Sequence, residues 1–107
     1  AGGWAVCGTG RDAARLDALA ATVPGVHGIV ADATKPEDAD RAVRETIARH
    51  GRLDAYVHAV GSIFLRNAHL TKPEEWHRVL EVNLTSAFLG LKAALGPMQT
   101  QGSGTIV

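Results

Sequence analysis

Residues 4–13, Trp4-Ala5-Val6-Cys7-Gly8-Thr9-Gly10-Arg11-Asp12-Ala13, decide the fold. Trp4 to Cys7 is a short apolar run opening into Gly8-Thr9-Gly10, the pattern of a buried strand that ends in a turn. Asp12 stands where a helix N-cap belongs, and Ala13, Leu16, Leu19, Ala20 and Val23 follow on one helical stripe. Pro24-Gly25 stops that helix. Val26 to Ala31 is a second strand, with Asp32 at its C-terminal tip.

Further along, Thr34 to Glu37 has the Thr-x-x-Glu spacing of a capping box, with Pro36 in the first turn. The helix behind it turns Ala39, Val43 and Ile47 inward and stops near Gly51. Leu53 to Val60 reads as a third strand, ended by Gly61-Ser62. After a looser stretch from Ile63 to Lys72 comes the longest helix, from about Pro73 to Thr100. Its apolar stripe is Trp76, Val79, Leu80, Asn83, Leu84, Ala87, Phe88, Leu91, Leu95 and Met98. Gly102 and Gly104 then lead into Thr105-Ile106-Val107, the start of another strand.

Strands alternating with helices through short connections imply parallel pairing with right-handed crossovers. Ligands on such sheets bind beyond the carboxyl ends of the strands. Gly8 to Arg11, Asp32-Ala33 and Ala59 to Ser62 all fall at that edge.

Composition narrows the function. The 107 residues carry eleven basic and eleven acidic side chains, which gives no electrostatic case for nucleic acid or membrane binding. No apolar run approaches the roughly 18 residues of a membrane span. The opening Ala1-Gly2-Gly3-Trp4 has no basic leader and no initiator Met, so neither a signal peptide nor a natural beginning is expected there. The single cysteine, Cys7, has no internal disulfide partner and fits a core position, and a reducing cytoplasm is the default location. The five histidines, His27, His50, His58, His69 and His77, show no ligand spacing, and no metal site is expected. His50, at a helix C-terminus, is explained by the dipole.

The glycine loop admits two readings. Gly8-Thr9-Gly10-Arg11-Asp12-Ala13 fits G-x-G-x-x-G/A between a strand and a helix, and Asp32 lies about 20 residues on, where a dinucleotide fold places its ribose-binding acid. In that reading Gly8 to Ala13 cradle a pyrophosphate at a helix N-terminus, as a non-catalytic binding module would. Against it, Asp12 brings a negative charge to the anion-binding end, and Asp17 stands where helix–sheet packing prefers a small residue.

The second reading makes Trp4 to Cys7 the second strand of the sheet, next to a central first strand. From Gly3 onward the chain resembles the short-chain dehydrogenase/reductase family in order and spacing. Val6 to Leu16 (VCGTGRDAARL) is similar to that family's second strand and following helix, and Ala31 to Asp38 (ADATKPED) to its third strand end. His50 to Gly61 (HGRLDAYVHAVG) resembles the Gly-Arg-Leu-Asp run that leads into Asn-Asn-Ala-Gly. Glu75 to Phe88 resembles the fourth helix with its Asn, and Gly104 to Val107 the start of the fifth strand. The resemblance implies an α/β, Rossmann-like doubly wound parallel sheet, incomplete, without its first strand and C-terminal half. Residues 1–107 would be a single partial NAD(P)-binding domain.

It also implies roles for individual residues. In the family an acid at the tip of the second strand selects NAD; here Gly10 occupies that place and Arg11 follows. A guanidinium there suits a 2′-phosphate, so NADP is expected over NAD; the alternative is a solvated Arg beside a helix start. Asp32 would accept a hydrogen bond from the adenine amino group and Ala33 would offer its N–H to the ring, unless Asp32 is only a turn or cap. Ala59 and Val60 would line the cofactor wall, and Gly61 would let the backbone approach the ribose. His58-Ala59-Val60-Gly61 lacks both family Asn side chains. Asn83, on the apolar stripe, matches the family Asn that helps position a water beside the catalytic Lys; the alternative is a buried amide satisfied in the core.

The implied chemistry is hydride transfer between nicotinamide and a small-molecule carbonyl or alcohol, with Tyr as acid or base, Lys lowering its pKa, and Ser holding the substrate oxygen. Those residues would follow the fifth strand. Tyr56 is the only tyrosine and Val60 stands four residues after it, so this chain alone is expected to be inactive. A pseudoenzyme or assembly subunit is the third possibility. With sheet order 3-2-1-4-5-6-7, two strands here would each lack a neighbour and the isolated chain would be poorly stable. The family's long helix implies a homodimer or homotetramer when complete.

Overall fold

The computed structural model describes residues 2–107, and Ala1 lies outside them. Strand β1 (Val6–Gly10) leads to helix α1 (Ala13–Thr22), strand β2 (Val26–Val30) and helix α2 (Pro36–His50). Strand β3 (Ala55–Tyr56) follows, then one turn of 3₁₀ helix at Ala68–Leu70. Helix α3 (Pro73–Leu80), a π turn (Glu81–Thr85) and helix α4 (Ser86–Gln101) form one continuous rod that ends before strand β4 (Thr105–Ile106).

All pairing is parallel, as the alternation of elements requires, but it falls into two separate ladders. β1 pairs with β2 from Val6↔Val26 to Gly10↔Val30, and β3 pairs with β4 through Ala55↔Thr105 and Tyr56↔Ile106. β1 and β3 do not pair with each other. An order β2-β1 and then β3-β4 is the order 3-2-(1)-4-5 with its central member missing. The incomplete doubly wound sheet is therefore what the backbone shows. Trp4 and Val6, expected in a buried strand, are 59% and 37% exposed, because no strand or helix among the described residues covers them.

The first strand runs to Gly10, not to Cys7. Gly8, Thr9 and Gly10 pair with Gly28, Ile29 and Val30, and the ladder continues as the Ala31 N–H donates to Gly10 O at 2.8 Å. Of the Gly8–Ala13 stretch, Gly8 to Gly10 thus lie within the strand, and Arg11 and Asp12 make the turn into α1. The glycines serve packing instead. Gly8, Gly10 and Gly28 share one face of the ladder, and α1 lies on it through Leu16; a Cβ on Gly28 would come within 2.8 Å of Leu16 Cβ. The opposite face carries His27, whose Nε2 lies 3.1 Å from Arg49 Nη2 of α2. Helices thus sit on both faces.

Asp12 caps α1 as expected, its Oδ1 accepting the Arg15 N–H at 3.2 Å. Thr34 does not cap α2. Lys35 holds that position, and the Thr34 N–H and hydroxyl both donate to Asp32 Oδ1 instead. The third strand is shorter than Leu53 to Val60 because it is paired on one side only. Its ladder with the last strand nonetheless extends from Thr105 N–H to Asp54 O through His58 N–H to Val107 O. Gln101 reaches back to clamp the Leu53 backbone, accepting its N–H at 3.1 Å and donating to its carbonyl at 3.2 Å.

The core joins α2 to α4: Val43, Leu53, Ala93, Ala94 and Met98, with Ala39, Ile47 and Tyr56 packed around them. This overturns part of the expected stripe of the long helix: Met98 is buried and Val79, Leu80 and Ala87 are half-buried as expected, but the large side chains between them are not. Its buried face is Ser86, Gly90, Ala93, Ala94 and Met98, while Trp76, Leu84, Phe88, Leu91 and Leu95 are exposed. The reason is closeness. A Cβ on Gly90 would collide with the Tyr56 hydroxyl, so only small side chains fit between α4 and β3. Pro73–Gln101 also contains an 18-residue window of mean hydropathy 1.2, long and apolar enough to cross a membrane by length and composition. It contains no unbroken apolar run of that length, because small residues rather than a solid aliphatic stretch supply the hydropathy. A helix that covers a parallel sheet carries the same composition.

Candidate functional site

The carboxyl ends of the strands bring the sequence-selected residues into two groups. At the tips of β1 and β2, Gly10 is half-buried beside Val30, and Arg11 projects into solvent as the chain turns toward α1. Arg11 is close enough to Asp32 for its charge to act on that carboxyl. Asp32 sits below its ordinary carboxylate value, chiefly because the Thr34 hydroxyl donates to it at 2.7 Å and the Thr34 N–H at 2.9 Å. The Asx turn weighed for Asp32 is thus present, built on Oδ1. Ala33 is half-buried within it.

Two residues unmarked in the sequence hold this turn. Asp38, in the first turn of α2, accepts the Asp32 N–H on Oδ2 at 2.7 Å, and this bond is the main cause of its lowered pKa. Arg41 bonds Asp38 Oδ1 at 3.3 Å, Glu45 at 3.1 Å and the Val30 carbonyl at 2.6 Å. Asp38 and Arg41 therefore tie the tip of β2 to α2. Their i, i+3 spacing was the available signal, but on a helix it reads as an ordinary surface pair.

The second group lies beyond β3. Ala59, Val60 and Gly61 follow the strand and are exposed. Asn83 faces them from the π turn. It is exposed rather than buried on the apolar stripe, and its amide is satisfied: Oδ1 accepts the Ser62 N–H at 2.9 Å and Nδ2 donates to Val79 O at 3.0 Å. A Cβ on Gly61 would come within 2.9 Å of Asn83 Oδ1, so the space this glycine leaves is needed on the Asn83 side.

Beneath this group runs a chain the sequence did not disclose. The Tyr56 hydroxyl is 3.1 Å from His58 Nδ1, His58 Nε2 is 3.3 Å from Ser86 Oγ, and Ser86 Oγ donates to Val82 O at 2.6 Å. Burial pushes the Tyr56 phenol up in pKa, so it stays protonated as a donor. Alternation puts Tyr56 and His58 on one face of β3, which was readable, but the third member lies 28 residues away. π turns recur at functional sites, and this one carries Asn83.

A parallel α/β sheet with helices on both faces and its polar residues gathered at the strand ends defines a nucleotide-binding fold of the doubly wound class. Comparison with known proteins narrows this. The family model described as enoyl-(acyl carrier protein) reductase matches residues 1–107. Cyclopentanol dehydrogenase of Comamonas sp. is 37% identical over 81 residues, covering 76% of this chain and 32% of that enzyme. A Burkholderia xenovorans crystal structure assigned to the short-chain dehydrogenases/reductases superposes with a TM-score of 0.87 at 34% identity, over 94% of this chain and 40% of that one. ElxO, solved with NADP bound, shares the fold at a TM-score of 0.88 and 21% identity, over 95% of this chain and 43% of its own. The chain belongs to the short-chain dehydrogenase/reductase family, and it spans about a third of the length of the dehydrogenase it matches.

Proposed function

We propose that this chain forms part of the cofactor-binding region of an NADP(H)-dependent oxidoreductase acting on a small-molecule carbonyl or alcohol. One observation carries the choice of NADP: the tip of β1 presents Gly10 and the Arg11 cation, with no carboxylate at the position of Gly10. The acids nearby are engaged elsewhere. Asp12 caps α1 and pairs with Arg15 at 3.6 Å, and Asp32 is tied to Thr34 through Oδ1. Arg11 thus supplies charged donors suited to a 2′-phosphate, while a free carboxylate that would favour a plain ribose is missing.

On this reading Asp32 uses its second oxygen to accept from the adenine amino group, and Ala33 offers its N–H to the ring. Ala59, Val60 and Gly61 line the wall along the cofactor. Asn83, held to Ser62, would order a water near the reacting end. The cofactor, when bound, supplies or takes the hydride. The chain's own residues bind and orient; with Tyr56 under α4 and no Tyr-x-x-x-Lys among the 107 residues, this chain by itself does no turnover. The exposed ridge Leu84, Phe88, Leu91 and Leu95 meets a second copy in a homodimer or homotetramer. Cys7 remains a free thiol in a reducing cytoplasm. Titration of the full-length polypeptide with NADP and with NAD tests the cofactor assignment. A preference of about tenfold or more for NADP is expected from charge-assisted bonds, and equal affinities would contradict it.

A further inference from the structure

In a regular α-helix the Ser86 N–H would donate to Val82 O, four residues back. Here it donates to Glu81 O, five back, which is the mark of the π turn. The Val82 carbonyl is not abandoned: the Ser86 hydroxyl takes it at 2.6 Å. The side chain at the junction has replaced the backbone donor that the π turn displaced.

That substitution fixes the hydrogen bonds behind it. A serine hydroxyl has one proton, and here it is committed to Val82 O. His58 Nε2, 3.3 Å from Ser86 Oγ, must then be the donor of their contact. A neutral imidazole has one N–H, so His58 Nδ1 is an acceptor, and the Tyr56 hydroxyl at 3.1 Å donates to it. The chain has one direction: Tyr56 O–H to His58 Nδ1, His58 Nε2–H to Ser86 Oγ, Ser86 Oγ–H to Val82 O. Ser86 is 1% exposed, and Gly90 makes the room that admits the Tyr56 ring under α4. His58 is where this chain departs from the family Asn, and a longer, two-ended side chain is what bridges β3 to α4.

We propose that His58 is a positioning residue for Asn83, locked as the Nε2–H tautomer so that Ser86 holds open the π turn that carries Asn83 to the Ser62 N–H. Its bearing on catalysis rests on the reading of Asn83 given above, whereas the tautomer and the turn do not. Nitrogen-15 spectra of the full-length polypeptide without cofactor test it. With its imidazole neutral, His58 is expected as the Nε2–H tautomer alone, whereas the exposed His50, His69 and His77 average between tautomers. Ser86→Ala is expected to admit both His58 tautomers and to speed Ser62 amide exchange at least about tenfold. His58→Gln, whose amide reaches the Nε2 position, keeps Ser62 protection near the parent value, while His58→Asn, which reaches only the Nδ1 position, loses it. An Nδ1–H or evenly mixed His58 in the parent protein overturns the proposal, as does unchanged Ser62 exchange in Ser86→Ala. Failure of the role given to Asn83 shows separately, as unchanged turnover in Asn83→Ala with the His58 signal intact, and failure of the oxidoreductase reading shows as no NADP(H)-dependent turnover in the parent while the His58 tautomer and Ser62 protection stand.

Discussion

Asn83 spans from the π turn to the segment beyond β3, its Oδ1 accepting the Ser62 N–H at 2.9 Å directly beside the position a Cβ of Gly61 would take. The two residues are 22 positions apart and belong to different elements, yet each sets the room available to the other. Gly61→Ala should push the Asn83 amide away and cost about 1 kcal/mol for the lost bond. Urea midpoints together with Ser62 amide exchange check this; an unchanged midpoint with unchanged exchange would show that the contact carries nothing.

Gly90 gives a sharper case. In an exposed helix interior Gly→Ala stabilises by roughly 1 kcal/mol. At Gly90 the new methyl would meet the Tyr56 hydroxyl, which is tied to His58. Gly90→Ala should therefore destabilise by about 1–3 kcal/mol through overpacking. Thermal unfolding of the full-length protein gives the sign, and a raised Tm would refute the close approach of α4 to β3.

Arg11 is the residue on which cofactor choice turns. Arg11→Ala should weaken NADP by about 1.5–3 kcal/mol, or roughly 10- to 100-fold, and leave NAD unchanged, since only the former offers a charged partner. Calorimetric titration with both cofactors separates this from a general loss of binding, in which both would weaken together.

The turn from Asp32 to Asp38 should be acid-sensitive. Both carboxyls lie below the ordinary value of 3.8, Asp32 through the Thr34 hydroxyl and Asp38 through the Asp32 N–H. A depressed folded pKa stabilises above the unfolded value, and the benefit is lost as pH falls through the folded one. Stability should hold at neutral pH and fall below about 4, where unfolded carboxylates titrate. Asp38→Asn should flatten this acid limb in denaturation curves taken between pH 2 and 7; an acid limb as steep as the parent's would assign it to other groups.

The 107-residue chain alone should unfold with weak cooperativity, because β1 and β3 each lack a partner on the side where they fail to meet. Calorimetry of the isolated chain checks this. A sharp transition would show that the two ladders are coupled by some other means.

Much of this was written locally. The order of elements, the Asp12 cap, the parallel pairing and the gathering of Gly10, Arg11, Asp32 and Gly61 at the strand ends follow from hydrophobic period, turn residues and the geometry of parallel sheets, all of which act over a few neighbours. The sequence alone could not say which face of the Pro73–Gln101 rod is buried, that the glycines at 8 and 10 continue a strand, or that Asn83 lies exposed on a π turn. Those outcomes were decided by pairwise closeness between distant segments: Leu16 over Gly28, Tyr56 under Gly90, His58 against Ser86. Periodicity reports which side chains share a face, but only the assembled tertiary structure, with its finite space between layers, selects the face that small residues can fill.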